Sequence, residues 1–599
     1  MFGLDPCWLP VILLGCQMPA CPLLDPHGGS HPIQALAGSR ATVLLFLGVD
    51  CPLAKAYAPK INLLTQNYSS RGVAFVGINS DAHTGLSSLA RFVKQHQVTW
   101  PFMKDEKNLL ADRLLVQHTP EAFVFDGSGR LRYRGRIDDQ FRAESRRPQP
   151  SSHELVNALE AVLANKSVTR PYAAPTGCQV NRLERNSAPG GVSYSRDVAP
   201  ILQEHCQACH RPGQIGPFSL LNYEDAIAQA ETIGDVVRAG RMPPWHANPL
   251  FGSFVNARVL STPEKKTILD WIDRRCPEGD RAALPPPLPP ASEWAIGRPD
   301  AIISMPYAVT VPPEGDVPYQ YFEIDPGFRE DQWIQAAEVL PGNRAVVHHC
   351  NVLLKPPTEI PLDPASESEW RFFAGMTPGK DPLVLRPGIA KRWPAGWRAV
   401  FVVHYAPIGS PQTDLSRLGL VLANPDHLRQ EVFTHLTDDP ALKIPPRSPD
   451  HVVEHTFQCP GDLQLLSIFP HMHVRGKAFR CEAEYPNGER EILLDVPRYD
   501  FAWQHQYVLT APKSLPAGTV LHYVAHYDNS ADNSANPNPE ATVSTGLQSW
   551  EEMFNAYIDF TYIDQDLQAP ARIQVRWILG LAVLACAGCL MLARRLVSP

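Results

Sequence analysis

Ala41-Thr-Val-Leu-Leu-Phe-Leu-Gly48 decides the fold of the N-terminal third. An unbroken apolar run of this length bounded by turn residues reads as a fully buried strand. Asp50-Cys51-Pro52-Leu-Ala-Lys-Ala-Tyr-Ala-Pro59 follows as a helix start, with proline where the first turn tolerates it. Val73-Ala-Phe-Val-Gly-Ile-Asn-Ser80 is the next strand, and Thr119-Pro120-Glu-Ala-Phe-Val-Phe-Asp126 a third, with the turn Gly127-Ser-Gly-Arg130 behind it. Strand, helix and strand in this order imply a parallel βαβ start and an antiparallel tail. An α/β domain is therefore expected over 25–165. Cys51 sits at the helix N-terminus, where amide dipoles stabilise a thiolate and lower its pKa. The fourth position after it is Ala54, so no resolving cysteine is local.

These residues resemble the redoxin branch of the peroxiredoxin and thiol-specific antioxidant superfamily, which implies a thioredoxin-like fold with Pro120 as a cis-proline beside the active thiol. The missing local cysteine argues against disulfide isomerase work. A one-cysteine peroxidase, a thiol that pairs with another domain and a degenerate structural module all stay open. His118 is similar in position to a histidine of Sco-type copper chaperones, although those pair it with two cysteines.

Working outward, Cys206-Gln-Ala-Cys209-His210 is the C-x-x-C-H signature of c-type haem: two thioether attachment points and a proximal imidazole. The stretch Arg196-Asp-Val-Ala-Pro-Ile-Leu-Gln-Glu-His-Cys206 reads as the helix that carries it. Ser261-Thr-Pro-Glu-Lys-Lys-Thr-Ile-Leu-Asp-Trp-Ile-Asp273 has a cap, an early proline and an amphipathic run. The pair resembles a small all-α cytochrome c domain, placed at 191–282 after a linker at 166–190. Gly240-Arg-Met242-Pro-Pro-Trp-His246 resembles that family's distal loop, with Met242 as axial ligand and His246 as the competitor.

The second half carries a different donor set: His348-His349, His404, His471-x-His473 and Met553. Imidazole suits copper among several metals, and a thioether selects Cu(I). Two histidines two apart on a strand leave the same face. Adjacent histidines point apart on a regular strand, so His348 and His349 can share one ion only at a strand end or bulge. Val400-Phe-Val-Val-His404-Tyr405 alternates as a half-buried strand that groups His404 with Val400 and Val402. His522 and His526 share a strand face and read as structural or as residues that support the metal ligands.

Asn343-Arg-Ala-Val-Val-His348-His349-Cys-Asn-Val-Leu353, Val402-Val-His404-Tyr405, Pro470-His471-Met-His473-Val-Arg-Gly-Lys477 and Glu552-Met553-Phe-Asn555-Ala-Tyr557 resemble the motifs of copper type II, ascorbate-dependent monooxygenases. Peptidylglycine α-hydroxylating monooxygenase and dopamine β-hydroxylase belong to that family. The resemblance implies two jelly-roll-like β-sandwich domains, 299–445 and 446–570, with an open cleft between them. It implies two copper ions: an electron-relay centre on His348, His349 and His404, and an oxygen-activating centre on His471, His473 and Met553. Asn555 and Tyr557 fall where the peptide-specific member contacts substrate, which makes Tyr557 a catalytic candidate beside Met553 and Cys51. Phe469 stands where that member has an arginine, which argues against a peptide carboxylate as substrate.

At 599 residues the chain is long enough for several domains, and its net charge of −8 excludes a nucleic-acid partner by simple electrostatics. Prolines concentrate in Arg146-Arg-Pro-Gln-Pro150 and in a linker at 283–298. Trp577 to Ala593 is apolar and long enough to span a bilayer, with Arg594-Arg595 behind it, so the C-terminus is expected in the cytoplasm and the rest in the periplasm. Residues 1–24 read as an atypical signal-like segment: Leu13-Leu-Gly-Cys16 resembles a lipoprotein box, but Asp5 stands where a basic region belongs. Of 13 cysteines, Cys459 with Cys481 and Cys178 with Cys276 are the candidate bridges. The whole reads as a membrane-anchored oxidoreductase: haem c (iron) passes electrons from an external donor to two coppers that use O2 to hydroxylate an unknown small molecule or peptide. A thiol peroxidase with electron-transfer domains and a non-catalytic copper-handling protein are the rivals.

Overall fold

The computed structural model describes residues 14–569 except 142–146, 148, 183–190, 290–291, 316, 359–361 and 363–369. The expected membrane span at 577–593 lies outside these residues. Among the described residues no helix is long and apolar enough to cross a membrane.

The N-terminal domain is a thioredoxin-like α/β unit. Its elements are β1 (Pro22–Leu24), β2 (Ser30–Pro32), β3 (Ala41–Phe46), α1 (Pro52–Ser69), β4 (Val73–Asn79), α2 (Leu86–Gln95), β5 (Phe102–Lys104), α3 (Leu109–Arg113), β6 (His118–Thr119), β7 (Glu121–Asp126), β8 (Leu131–Gly135), α4 (Glu154–Leu163), β9 (Tyr172–Ala173) and β10 (Cys178–Gln179). The main sheet runs β2-β1-β5-β4-β3-β7-β8-β9, and β10 pairs with β6. β3 is parallel to β4 and antiparallel to β7, the predicted start and tail. All six residues of β3 are buried, because both faces are covered. Val43 and Leu45 pack with Tyr57 and Ile61 of α1, whereas Leu44 and Phe46 pack with Leu110 and Ala111 of α3. Each such side chain is worth about 1.5–3 kcal/mol of burial.

This domain is longer than 25–165 at both ends. Gly15 N–H donates to Leu131 O at 2.9 Å and Met18 N–H to Gly129 O at 2.8 Å, so residues from 14 onward, expected as part of a signal-like segment, are bonded to the sheet. The expected linker at 166–190 contains β9 and β10. Strands of two residues are too short for any periodicity to mark them.

The next region is helical. A π-helical turn at Tyr194–Val198 runs into α5 (Ala199–His205), followed by α6 (Tyr223–Ala228), α7 (Ala230–Arg238) and α8 (Thr262–Asp273). Tyr194, Leu202, Ile227, Ile268 and Trp271 make its core. Ser261 caps α8 in a reciprocal capping box with Glu264. At the end of the proline-rich linker Trp294 is buried, with Arg417 over its ring at 5.4 Å.

Two antiparallel sandwiches follow. The first comprises β11 (Ala301–Ser304), β12 (Val309–Val311), β13 (Gln320–Ile324), β14 (Gln332–Leu340), β15 (Val347–Lys355), β16 (Arg371–Met376), β17 (Leu383–Val384), β18 (Ile389–Trp393), β19 (Arg398–Tyr405), β20 (Gln412–Asp414), β21 (Arg417–Leu422) and β22 (Gln430–Glu431). Sheet β11-β21-β14-β18-β22 packs on β13-β19-β15-β16 through Ile334, Val339, Leu418, Val352, Phe401 and Val403. The second comprises β23 (Phe433–Asp438), β24 (Lys443–Ile444), β25 (His451–Gln458), β26 (Leu463–His471), β27 (Gly476–Glu484), β28 (Arg490–Val496), β29 (Tyr507–Leu515), β30 (Val520–Tyr527), β31 (Val543–Ser544) and β32 (Asn555–Tyr562). Its sheets are β23-β32-β26-β29 and β25-β30-β27-β28. Because β22 pairs with β18 and β23 with β32, the chain changes sandwich between Glu431 and Phe433, earlier than the expected 445. A buried ion pair, Lys391 Nζ to Asp559 at 3.0 Å, joins the two sandwiches.

Cys459 and Cys481 share one core but stand as free thiols, as do Cys178 and Cys276. Cys276 is buried in the helical core, whereas Cys178 packs against the α/β core, so these two cannot bridge without rearrangement.

Candidate functional site

Four groups of chemically active side chains stand out, one on each sandwich, one in the helical region and one in the α/β domain. In the first sandwich, β15 pairs with β19 through a register shift between Val347 and His349, which sets His349 opposite His404. That bulge lets two adjacent histidines turn toward one place. Ligand atoms of His348, His349 and His404 lie within 4.8 Å of one another. His348 Nδ1 approaches His349 Nδ1 to 3.2 Å, and the His349 and His404 rings are 5.1 Å apart. Tyr319 stacks on His404 at 4.8 Å and donates its hydroxyl to Leu547 O of the other sandwich. β19 is buried on both faces rather than half-buried, because Tyr319 and Trp370 cover the Val400–Val402 face that His404 shares.

Burial holds these imidazoles neutral: His349 lies well below its usual range, and His404 is brought down to about 4. His404 Nδ1 is buried with no hydrogen-bond partner among the described residues. Three converging imidazoles, one with a buried nitrogen left unsatisfied, fit a borderline metal ion such as copper or zinc.

In the second sandwich His471 ends β26, and His473 lies in the turn beyond it. The two therefore do not share one strand face as expected, yet their rings converge at 5.2 Å. The turn is fastened by Tyr499, whose hydroxyl donates to Met472 O at 2.8 Å. His471 Nδ1 pairs with Gln504 Oε1 at 2.7 Å and His473 Nδ1 with Glu551 O at 3.3 Å, which orients both rings. Burial brings His471 down to about 4 and His473 well below its usual range.

Glu552 joins this turn to the Met553 strand. Its buried carboxylate accepts the N–H groups of His473 and Arg475, each at 2.7 Å, and of Met553 at 3.2 Å. Asn555 Nδ2 lies 3.6 Å from Met553 Sδ, and Asn555 is the register partner of His471. Two imidazoles and a thioether narrow the choice of metal toward Cu(I). Tyr557 lies farther along β32, between Phe469 at 5.7 Å and Phe372 at 5.1 Å. Lys380 of the first sandwich stands over both Phe372 and Phe469, at 4.7 and 4.6 Å. Burial pushes its ammonium down to about 7.

The two histidine groups face one another across one ring. Phe501 lies 5.3 Å from His348 and 5.7 Å from His473, so one aromatic ring contacts both groups. His522 and His526 are outside this arrangement, on Glu484 at 3.0 Å and Asp450 at 3.1 Å.

In the helical region Cys206, Cys209 and His210 cluster at the end of α5. His210 Nδ1 pairs with Phe218 O at 3.2 Å, which turns Nε2 outward as a proximal haem ligand requires. Burial raises both thiols, Cys206 to about 12. These residues fit covalent haem attachment. Met242 follows α7, half-buried before a cis peptide bond to Pro243. Its neighbours turn onto the second sandwich: Trp245 lies 5.0 Å from Tyr507, and His246 lies 6.0 Å from His505. His505 is next to Gln504, the partner of His471.

In the α/β domain Cys51 caps α1, and its Sγ donates to Thr119 O at 3.2 Å. The Thr119–Pro120 bond is cis. Burial alone would raise the thiol, but hydrogen bonds from the Cys178 side chain and from the Ala54 and Cys178 backbones outweigh it and bring Cys51 down to about 7. His118 is not gathered with them: among the described residues, donor groups closing within 4.8 Å are the His348 trio and Glu204, His205 and Glu264.

Cys178, Lys380, Phe501, Gln504, His505 and Glu552 were not legible as site residues. The run Asp500-Phe-Ala-Trp-Gln-His-Gln-Tyr507, dense in aromatic and amide side chains between strands, was a usable signal.

Residues 14–134 match the AhpC/TSA family. Thiol-disulfide oxidoreductase YkuV of Bacillus subtilis (strain 168) is 26% identical over 102 residues, covering 17% of this chain and 69% of that protein. Among solved structures, hypothetical protein SMc02350 from Sinorhizobium meliloti 1021 is 25% identical, covering 28% of this chain and 93% of that one, with a TM-score of 0.25. A putative thiol:disulfide interchange protein DsbE from Chlorobium tepidum is 21% identical over 20% of this chain and 83% of that one, with a TM-score of 0.19.

Proposed function

We propose that this chain is a multi-centre oxidoreductase: a copper-dependent, monooxygenase-like unit of two sandwiches, supplied by a haem c and accompanied by a thiol-redox domain. The observation that carries the reading is the pair of histidine groups facing across Phe501, three imidazoles from one sandwich and two from the other.

His348, His349 and His404 would hold one copper, and His471, His473 and Met553 the other. Bound there, copper would supply one-electron chemistry at the first set and oxygen binding at the second. A haem held by Cys206, Cys209, His210 and Met242 would supply electrons from an external donor. The chain's own residues do the rest. Gln504 and the Glu551 carbonyl orient His471 and His473, and Glu552 fixes the spacing of His473 and Met553. Phe501 contacts both groups, and Tyr319 stacks on His404. Lys380, beside Phe372 and Phe469 near Tyr557, provides an amine that titrates near neutrality and an aromatic wall, which suits a substrate with a hydrogen-bonding or π-rich group near the bond to be hydroxylated. This reading keeps the bulk of the chain in the periplasm, anchored by 577–593 with the C-terminus in the cytoplasm.

A second reading, a thiol peroxidase or thiol-disulfide oxidoreductase with electron-transfer domains, is favoured by the low Cys51 pKa and by the likeness to the Bacillus subtilis oxidoreductase. Metal and haem stoichiometry of the full chain, then oxygen uptake after reduction, separates the two. The first reading expects two coppers per haem and haem reoxidation by oxygen that is lost in Met553→Ala and kept in Cys51→Ser. Haem that stays reduced in air, with peroxide or disulfide turnover lost in Cys51→Ser, overturns it in favour of the second.

A further inference from the structure

The partner missing beside Cys51 in sequence is supplied from the far end of the α/β domain. β10 pairs antiparallel with β6, setting Cys178 opposite Thr119, the residue whose carbonyl accepts the Cys51 thiol. The Cys51 and Cys178 side chains are near enough to shift each other's ionisation. Cys178 also packs against the core that contains Cys51. The approach is close enough to demand glycine next door: at Gly177, φ +149°, a Cβ would lie 2.0 Å from Thr119 O. Both residues are free thiols here.

We propose that Cys51 and Cys178 form a redox-active dithiol–disulfide couple, with Cys51 as the attacking thiolate and Cys178 as the resolving thiol. The couple rests on the thiol-redox reading of Cys51 given above. The difference between the two thiols suits the roles, because Cys51 is held low and Cys178 is raised by hydrogen bonding with Cys51, by burial and then by the Cys51 charge. With a hydroperoxide as oxidant, the Cys51 thiolate attacks one peroxide oxygen. The O–O bond breaks as the S–O bond forms, and the departing alkoxide takes a proton to leave as alcohol. Cys178 then attacks the Cys51 sulfur. The S–S bond forms, the S–O bond breaks, and the hydroxide leaves as water with the Cys178 proton. An external dithiol returns two electrons and two protons and is itself oxidised to a disulfide. The new bond would lie at a domain seam, since Gln179 and Asn181 beyond it hydrogen-bond Asp235 and the Ile227 carbonyl of the helical region.

The test treats the reduced full chain with equimolar hydrogen peroxide, alkylates the remaining thiols and maps the cysteine peptides by mass spectrometry. The expected product is one cross-linked peptide pair, Cys51 with Cys178, lighter by two hydrogens and restored by dithiothreitol. In Cys178→Ala, Cys51 should instead accumulate as a sulfenic acid trapped by dimedone. Cys178→Ser, which keeps a hydrogen-bond donor, should trap it too, separating the covalent role from the electrostatic one. Oxidation of Cys51 in the unmutated chain with Cys178 still fully alkylated overturns the couple and leaves the thiol reading standing. A Cys51 that is inert to peroxide overturns the thiol reading and the couple with it.

Discussion

Removing the Glu552 carboxylate tests whether one buried group holds the second histidine site together. Its Oε2 accepts from His473 and Met553, and its Oε1 from Arg475. The residue is fully buried, so no bulk water replaces a lost partner at no cost. Each orphaned buried N–H costs about 1–3 kcal/mol. Glu552→Gln can keep its amide oxygen at the Oε2 place, and only the Arg475 N–H loses its acceptor. Glu552→Ala strands all three, for a loss of roughly 3 kcal/mol or more. The assay is hydrogen exchange of the metal-free full chain, read on peptides covering 471–477 and 551–555. At tenfold per 1.4 kcal/mol, Glu552→Gln should accelerate exchange in the first peptide by about five- to 150-fold, with little change in the second. Glu552→Ala should accelerate both. Cu(I) affinity of the second site should fall about 10- to 100-fold in Glu552→Ala, as for other groups that orient metal ligands. Unchanged exchange in Glu552→Ala would refute the argument that this carboxylate, and not the strands alone, sets the spacing.

Four further outcomes are expected. Cys51 should alkylate with a pH midpoint near 7, and Cys178→Ala should move the midpoint upward, since it deletes a bond that favours the thiolate; rate measurements from pH 5 to 9 check this. Because the folded pKa lies below the usual 9.0, the reduced domain should gain stability as pH rises from about 7 toward 9 and lose it as pH falls through 7, a slope that Cys51→Ala removes in urea titrations. Arg134→Met should cost the α/β domain about 3–5 kcal/mol by stranding Glu121, which it meets at 2.7 Å in a buried pair, with much of the loss recovered in the double variant with Glu121→Gln; thermal unfolding reads both. Ser261→Ala should cost about 1 kcal/mol by removing the α8 cap, seen as a lower unfolding midpoint of the helical region.

What the sequence alone determined was local. The buried run at Ala41–Phe46, the helix behind Cys51, the cap at Ser261 and the need for a bulge at His348-His349 each follow from periodicity or turn chemistry within a few residues. These features depend on backbone sterics and on which faces are buried, and a short window contains both. Partnerships between distant segments were decided by the tertiary structure. β10 has two residues and no readable pattern, yet its register on β6 brings Cys178 to Cys51. Phe501, Lys380 and Glu552 acquire their places only when the two sandwiches dock and the Met553 strand pairs with β26. The change of sandwich between Glu431 and Phe433 was hidden for the same reason: strand pairing depends on backbone bonds between remote residues, which spacing along the chain does not encode.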